Sequence, residues 1–343
     1  MKQLTLALDV MGGDFGPRVT IPAVSKALAE NPRLNFLLFG DQHIANPFLL
    51  KLPEAQQSRI LFHHTKKQIE NDVPFPLAIR QSKDSSMRLA IEAVVNGQAQ
   101  GCVSGGNTGA LMGLAKLLIA PLSNIERLAL TSLIPTMDGK STVMLDLGAN
   151  VEVTPKHLQQ FAEMGNIFAQ TMLGLVYPRL NLLNIGTEES KGNQVLKKAH
   201  QYLKGRYDLN YQGFIESDKL MNHQTDVIVC DGFSGNIALK ALEGAAKNIL
   251  ALLKKPSESM WMWQIVKRCF LRVLFYRYYR KLQEINPDRH NGATLLGLSK
   301  VVVKSHGGAS ENAFFHAINY AVQQIEADIP EKISSGLTDL HRY

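Results

Sequence analysis

The feature that most constrains the fold is a repeated order of short apolar run, small-residue turn and helix-like segment. Apolar runs of strand length lie at residues 4–8, 34–39, 99–103, 141–145, 180–185 and 226–230. Helix-like segments lie between them at residues 21–30, 86–96, 108–119, 154–171 and 236–253. Because strands joined through helices pair in parallel and bury both faces of their sheet, the pattern predicts a three-layer α/β/α fold with a largely parallel sheet.

The length and continuity of this pattern indicate one folding unit. A chain of 343 residues can bury a full core, and the sequence has no internal repeat and no low-complexity linker. We therefore predict a single α/β domain over residues 1–343, with two intertwined lobes as an open alternative. The charged segment 254–285 is predicted to form a protruding helical excursion from the main fold.

Composition excludes several classes of protein. No run reaches 18 consecutive apolar residues, as a membrane-spanning helix requires, and Asp9 interrupts the first apolar run too early for a signal peptide. The three cysteines, Cys102, Cys230 and Cys269, are far apart, which argues against a disulfide framework or a zinc site and is typical of a reducing cytoplasm. The net charge of +7 favours anionic partners.

Small-residue turns follow five of the predicted strands. They contain Gly12, Gly13 and Asp14; then Ser104, Asn107 and Thr108; then Asp146 and Asn150; then Glu189 and Lys191; and last Asp231 and Asn236. Because the carboxyl ends of parallel strands meet at one edge of a sheet, we expect these turns to converge there. Glycine lets the backbone approach a ligand and helix N-termini favour anions, so the turns indicate a phosphate cradle. Each turn alone also suits a capped strand-to-helix turn.

Basic side chains near these turns are candidates for binding phosphate or stabilising an oxyanion. Lys191 lies in a strand-to-helix turn beside Glu189, where it could stabilise a developing negative charge or only pair with glutamate. Arg80 and Lys83 precede a predicted helix, and they are either phosphate ligands or part of a solvated basic turn.

A further glycine-rich turn follows the apolar run at residues 301–303. It contains Lys304 and His306, and a histidine there could protonate a leaving thiolate or only bond locally. Asn236 could donate its amide to a substrate carbonyl or cap its own helix. Because no serine lies in a GxSxG motif and no cysteine has a histidine nearby in sequence, a covalent intermediate has no support.

Carboxylates also lie at the strand ends. Asp146, Asp226 and Asp231 could bind Mg²⁺, but their positions also suit helix caps and ion pairs with the basic groups, which we favour. No turn matches the GxGxxG or P-loop motif at the required place, so dinucleotide binding has weak support. We accordingly predict neither a metal nor a cofactor.

Residues 261–281 form a basic and aromatic segment without an acidic side chain. This composition is typical of a segment at a membrane surface, and it also suits a dimer interface or the docking of an acidic carrier protein. No RNA-binding module is recognisable, so nucleic acid is not an expected partner. The residues expected to contact a membrane or a carrier protein are Trp261, Trp263, Lys267, Arg268, Arg272 and Arg277.

Eight blocks of the sequence together resemble one known family. They are residues 7–17 (ALDVMGGDFGP), 80–87 (RQSKDSSM), 104–110 (SGGNTGA), 145–150 (LDLGAN), 184–192 (NIGTEESKG), 231–236 (DGFSGN), 291–297 (NGATLLG) and 304–307 (KSHG). In this order they closely resemble the PlsX family of bacterial phosphate acyltransferases, to about residue 325. Gly105 differs, since the family often has alanine there, and residues 254–285 match only in character.

The resemblance implies an activity and a set of partners. The implied reaction transfers a fatty acyl group from acyl carrier protein to inorganic phosphate. The implied enzyme is a cytoplasmic homodimer that associates peripherally with the membrane, and its acyl phosphate would pass to a membrane glycerol-3-phosphate acyltransferase for phospholipid synthesis. The implied fold resembles that of isocitrate and isopropylmalate dehydrogenases and of phosphotransacetylases.

The resemblance and the chemistry of the reaction together give the residues roles. Lys191 and Asn236 are assigned to the thioester carbonyl and the tetrahedral intermediate, and His306 to protonation of the thiolate. The residues expected to bind substrate are Gly12, Gly13, Asp14, Arg80, Lys83, Ser104, Asn107, Thr108, Asp146, Asn150, Glu189, Asp231 and Lys304.

Two other functions stay open at this point. A metal- and NAD-dependent dehydrogenase of the same fold group would use Asp226 and Asp231 for its metal. A non-enzymatic adaptor at a membrane surface would recruit acyl carrier protein through residues 261–281, without phosphate-dependent turnover.

Overall fold

The computed structural model describes residues 3–70, 73–254 and 291–340, which are built around an 11-stranded sheet. The strands are β1 (Leu4–Asp9), β2 (Leu34–Gly40), β3 (Ile60–His64), β4 (Gly101–Ser104), β5 (Ala129–Pro135), β6 (Ser141–Leu145), β7 (Arg179–Leu183), β8 (Asn210–Ile215), β9 (Val227–Val229), β10 (Ala293–Leu296) and β11 (Val301–Lys304). The helices are α1 (Pro17–Glu30), α2 (Gln42–Leu49), α3 (Glu54–Gln57), α4 (Phe75–Gln81), α5 (Ser86–Val95), α6 (Thr108–Leu118), α7 (Pro155–Leu173), α8 (Gln194–Lys204), α9 (Gly232–Lys254), α10 (Glu311–Glu326) and α11 (Ile329–Leu340).

The sheet is largely parallel and is covered on both faces, as predicted. Its strand order is β3-β2-β1-β4-β11-β10-β5-β6-β9-β7-β8, and seven of the ten pairings are parallel. Along β1, Leu6 and Leu8 belong to one buried core, while Ala7 between them belongs to the other. Because alternate side chains of a strand point to opposite faces, these two cores lie on either side of the sheet. The three-layer fold is thereby confirmed.

The direction of the strands corrects one prediction. β10 is antiparallel to both β11 and β5, and β5 is antiparallel to β6. As a result β6, β7, β8 and β9 run opposite to β1, β2, β3, β4 and β11. The predicted convergence of all the turns at one edge is therefore wrong: the turns after β1, β4 and β11 lie at one edge, and those after β6, β7 and β9 lie at the other.

Several helices begin where a polar side chain accepts a hydrogen bond from a backbone amide of the first turn. Asn107 accepts from Ala110 N at 2.9 Å and caps α6. Asp231 accepts from Ser234 N at 2.8 Å, so α9 begins at Gly232, four residues before the predicted start at residue 236. Strands β3, β5, β8 and β10 were not predicted.

Some predictions fall outside the described residues. These include the helical excursion at residues 254–285 beyond Lys254 and the six residues expected to contact a membrane or carrier protein. The single domain over residues 1–343 stays a prediction. In the part of the chain that the structure describes, no helix combines the length and the apolar character needed to span a bilayer.

Candidate active site

A cavity of about 530 Å³ lies between α9 and one face of the sheet, the face whose core contains Ala7. One side of α9 lines it with Asn236, Leu239, Lys240, Glu243 and Ala246, which recur at helical spacing. At about 1.5 Å of rise per residue, this side of the helix extends over about 15 Å. The cavity therefore runs along α9 as an elongated slot.

The slot is lined by residues from both edges of the sheet. Gly148 follows β6 and Asn236 belongs to the helix after β9, so both come from one edge. Thr108 follows β4, and Lys304 and His306 lie at the end of β11, at the other edge. Among the residues predicted to act on substrate, the cavity thus brings together Thr108, Asn236, Lys304 and His306.

Lys304 supplies a partly buried cation at one end of the slot. Its Nζ donates to the carbonyl oxygen of Gly105 at 3.2 Å and also to that of Ser305. Burial and, to a smaller extent, the charge of Lys240 lower the pKa of Lys304 to about 8, against the opposing effect of Asp14 and Asp9. While protonated, such a weakly hydrated ammonium is a strong point charge for an anion.

A cluster of charged side chains lies beside Lys304. Lys240 Nζ is 3.0 Å from Glu243 Oε2, and His306 Nε2 is 3.9 Å from the same oxygen. His306 Nδ1 accepts a hydrogen bond from Gly308 N at 3.1 Å. With Nδ1 occupied as an acceptor, the ring proton lies on Nε2, the nitrogen closer to Glu243. This end of the slot therefore holds two lysines, one carboxylate and one imidazole proton donor.

The sequence analysis missed Lys240 and Glu243. Leu239 and Leu242 pack against the core and also line the cavity, so they mark the inward side of α9. Lys240 and Glu243 each come one position after one of these leucines, at the border of the same side. The spacing of the two leucines is the sequence signal that could have placed Lys240 and Glu243 at the border of the cavity-lining side of α9.

Buried Asp9 fixes the glycine turn after β1. Its Oδ1 accepts from the backbone N of Met11 and of Gly12, both at 3.2 Å, and its Oδ2 accepts from Ser104 Oγ at 2.7 Å. Burial raises the pKa of Asp9, and these hydrogen bonds oppose the shift. A Cβ on Gly12 would lie 2.6 Å from both Asp9 Oδ2 and Gly106 N, so only glycine fits between the two turns.

The turns after β1 and β11 are also joined by a backbone hydrogen bond. Asp14 N donates to the carbonyl oxygen of Gly307 at 2.9 Å, and His306 N donates to Asn291 Oδ1 at 2.9 Å. Gly12, Gly13 and Ser104 are not among the described residues that line the cavity. They lie outside the cavity, next to its cationic end, where they support the turn that carries His306.

Asp146 builds the loop at the opposite end of the slot. Its buried carboxylate accepts from the backbone N of Gly148, Ala149 and Asn150 at 3.1, 2.9 and 2.7 Å, and from Asn150 Nδ2 at 2.8 Å. Burial raises the pKa of Asp146, and these bonds oppose the shift. The loop thereby presents Gly148 beside Asn236, while Asp146 and Asn150 support it from outside the slot.

Four predicted residues lie away from the cavity. Lys191 is exposed, and the carboxylate of neighbouring Glu189 pairs with Lys204 at 2.7 Å. Arg80 and Lys83 are exposed near the end of α4. Since none of the four is among the described cavity-lining residues, the structure does not bring them to the other candidates. Their roles stay predictions.

The carboxylates that a metal-dependent dehydrogenase would need are not placed together. Asp226 precedes β9 and Asp231 follows it, so about 16 Å of extended chain separates them. Asp226 accepts from Arg179 Nε and Nη2 at 2.9 Å. Burial acts to raise the pKa of Asp226, but the bonds and charge of Arg179 lower it overall. Asp226 is thus engaged in an ion pair and Asp231 in the cap of α9, as favoured from the sequence.

The fold and the slot define an α/β protein with an elongated cavity that has two lysines at one end and apolar side chains along its length. The chain shares its fold with a phosphotransacetylase from Streptococcus pyogenes, at a TM-score of 0.60 and 17% identity over 94% of each chain. It also shares the fold of a 4-hydroxythreonine-4-phosphate dehydrogenase from Klebsiella pneumoniae, at a TM-score of 0.52 and 10% identity, covering 94% of this chain and 100% of that one. These likenesses confirm the predicted dehydrogenase-like fold.

The chain belongs to the family described as fatty acid synthesis protein, which matches residues 4–332. A protein named phosphate acyltransferase from Actinobacillus pleuropneumoniae serotype 5b (strain L20) is 71% identical over 342 residues, covering 100% of this chain and 99% of that protein. The predicted membership of the PlsX family is thereby confirmed.

Proposed function

We propose that this chain transfers a fatty acyl group from acyl carrier protein to inorganic phosphate, giving acyl phosphate for phospholipid synthesis. The observation that carries the proposal is one cavity with a partly buried lysine at its end and an apolar wall along its length. The name phosphate acyltransferase, borne by a relative 71% identical to this chain, supports both the acceptor and the class of reaction. The test is whether acyl carrier protein loses its acyl group only when phosphate is present.

Phosphate is placed at the cationic end of the slot. Lys304 and Lys240 both line this end, and Thr108 begins α6 there. The first amides of a helix have no partners within the helix and carry partial positive charge, so the start of α6 adds to the attraction of the two lysines. An anion at this point would also lie beside His306.

The reaction needs little acid–base chemistry at the acceptor. Hydrogen phosphate already has an anionic oxygen, and holding it against the thioester carbonyl supplies much of the catalysis. The new C–O bond forms, the C–S bond breaks, and the thiolate takes up one proton to leave as a thiol. Because hydrogen phosphate brings one proton and acyl phosphate leaves without it, the overall proton balance closes, with His306 placed to protonate the thiolate.

The thioester carbonyl is placed between the two ends of the slot. Asn236 and Lys240 are one helical turn apart on the same side of α9, so their side chains flank one position in the cavity. Donors at this position would stabilise the oxyanion of the tetrahedral intermediate. Lys191, which was assigned to this step from the sequence, is not among the described residues that line the cavity.

The acyl chain is placed along the apolar wall. Leu130 and Ile134 of β5 line the slot on one side, and Leu239 and Leu242 of α9 line it on the other. Residues two apart on a strand share a face, so β5 forms a continuous floor under the helix. Burial of each methylene of a chain here contributes about 0.8 kcal/mol. Met112, Leu147 and Met221 complete the apolar lining.

We predict that Leu239→Trp shortens the slot. The larger side chain is expected to lower turnover of palmitoyl carrier protein by about tenfold or more, while a butyryl donor is affected much less. Initial rates with the two donors at saturating phosphate measure the effect. Ile237→Trp is the matched control, because Ile237 lies on the same helix with 54% of its surface exposed and is not a described lining residue. An equal loss with both donors would contradict this placement of the chain.

The donor and the cellular setting complete the proposal. An acidic carrier protein suits a chain with net charge +7, and charge complementarity of this kind speeds association. We extend the proposal to a cytoplasmic homodimer in peripheral contact with the membrane, which passes its product to a glycerol-3-phosphate acyltransferase there. These features are supported by the family resemblance and by the composition of residues 261–281.

A further inference from the structure

The cationic end of the slot contains a negative charge that an anion-binding site would not be expected to need. Among the described residues that line the cavity, Glu243 is the one that carries a carboxylate. Its side chain is 21% exposed, and it lies with the more exposed Lys240 at the border of the side of α9 that lines the cavity. A carboxylate here repels every anion, so its presence needs a chemical reason.

The proton on phosphate supplies such a reason. At neutral pH inorganic phosphate still carries at least one proton, whereas sulfate of similar size and shape carries none. An ionised carboxylate is an acceptor only, so it can receive a hydrogen bond from the hydroxyl of hydrogen phosphate but meets only lone pairs on sulfate. Sulfate would face this carboxylate with no proton between them, so it would lack one hydrogen bond to a charged group that hydrogen phosphate makes.

The contacts of Glu243 place it for this role. Its Oε2 lies 3.0 Å from Lys240 Nζ and 3.9 Å from His306 Nε2, the groups proposed to surround phosphate. A carboxylate has about four lone-pair sites on its two oxygens, so these contacts leave capacity for another donor. The ion pair with Lys240 also holds the carboxylate at the end of the slot that Lys304 lines.

We propose that Glu243 determines the specificity of the anion site, by accepting the proton-bearing oxygen of hydrogen phosphate and excluding sulfate. The inference rests on the proposed function only in taking phosphate as the anion, because binding of an anion needs no acyl donor. We expect arsenate, which also keeps a proton at neutral pH, to bind as phosphate does, and we expect sulfate to bind more weakly.

The experiment measures binding of phosphate, arsenate and sulfate by isothermal titration calorimetry at about pH 7.5, where hydrogen phosphate is mostly a dianion like sulfate. The full chain is compared with Glu243→Gln and Glu243→Ala. Glu92→Gln and Glu92→Ala are the matched controls, since Glu92 forms a helical ion pair with Arg88 at 2.7 Å and is not a described lining residue. Circular dichroism checks that each variant folds, and alanine is well tolerated in a helix.

The unmodified chain is expected to bind phosphate and arsenate about tenfold or more tighter than sulfate, the effect of one well-placed hydrogen bond to a charged group. Both Glu243 variants are expected to gain affinity for sulfate and to bring the three anions within about threefold of one another, while the Glu92 variants keep the preference.

Three results would overturn the proposal. One is an unmodified chain that binds sulfate as well as phosphate, or binds neither. Another is a Glu243 variant that keeps the full preference. The third is an equal gain in affinity for all three anions, which would mean that Glu243 acts only through its charge. An anion preference that depends on Glu243, in a protein that leaves acyl carrier protein intact, would support this inference and reject the proposed function instead.

Discussion

Replacing Lys304 with methionine is expected to lower kcat/KM for phosphate by about 10²–10³-fold, the effect of removing one preorganised donor from a site of this kind. Methionine nearly matches the length of lysine but has no charge, so the buried end of the slot keeps its shape and loses its cation. Steady-state rates at varied phosphate concentration measure the effect. Lys300→Met is the control, because Lys300 is exposed in the turn before β11 and is not a described lining residue.

The same residue predicts a pH dependence. Burial, with the charge of Lys240, lowers the pKa of Lys304 to about 8, against the opposing effect of Asp14 and Asp9. The charged amine is the form proposed to bind phosphate, so kcat/KM for phosphate is expected to fall as pH rises through about 8. His306 and Glu243 also line this end, so the profile is measured in the Glu243→Gln variant as well. A flat profile to well above pH 8, or full activity of Lys304→Met, would remove Lys304 from the phosphate site.

Gly235→Ala is expected to destabilise the fold by about 3 kcal/mol or more. The added Cβ would lie 1.9 Å from the carbonyl oxygen of Asp146 and 2.7 Å from Cys230 Sγ. A backbone oxygen cannot move aside as the end of a flexible side chain can, so α9 must shift away from the loop after β6. Because α9 forms one wall of the slot, loss of activity should accompany the loss of stability, which urea-induced unfolding measures.

Gly244→Ala is the matched control for this substitution. Gly244 belongs to the same helix, and a Cβ there meets nothing within 4 Å. Alanine in a helix is more stable than glycine by about 0.5–1 kcal/mol, so this variant is expected to be neutral or slightly stabilised. Equal destabilisation by both substitutions would show that the close contact of Gly235 with Asp146 is not its cause.

Much of the fold could be predicted from the sequence because the alternation of apolar runs and helices is a local property. The direction of a strand in the sheet is not a local property, because it depends on which strands pair. The wrong prediction about the sheet edges came from treating every strand as parallel. The signal was present: Asp138 and Gly139 lie between β5 and β6, and Gly139 has a φ of 83°. Asp-Gly between two apolar runs is typical of a hairpin, which makes its two strands antiparallel.

The site was predicted in part for a related reason. Lys304 and His306 were found because they follow an apolar strand in a glycine-rich turn, which is visible in the sequence. Lys240 and Glu243 were missed because their role depends on which side of α9 faces the sheet. Lys191 was proposed from its strand-to-helix turn and from the chemistry of the reaction, and the position of the turn after β7, outside the slot, could not be read from local spacing.

Mass spectrometry tests the proposed transfer of the acyl group to phosphate most directly. Purified protein is incubated with palmitoyl acyl carrier protein, with and without inorganic phosphate. We predict that free carrier protein and palmitoyl phosphate appear together and only when phosphate is present. A donor that stays intact with folded protein and phosphate, while palmitoyl-CoA is equally inert, would contradict the enzymatic function and favour an adaptor that binds carrier protein.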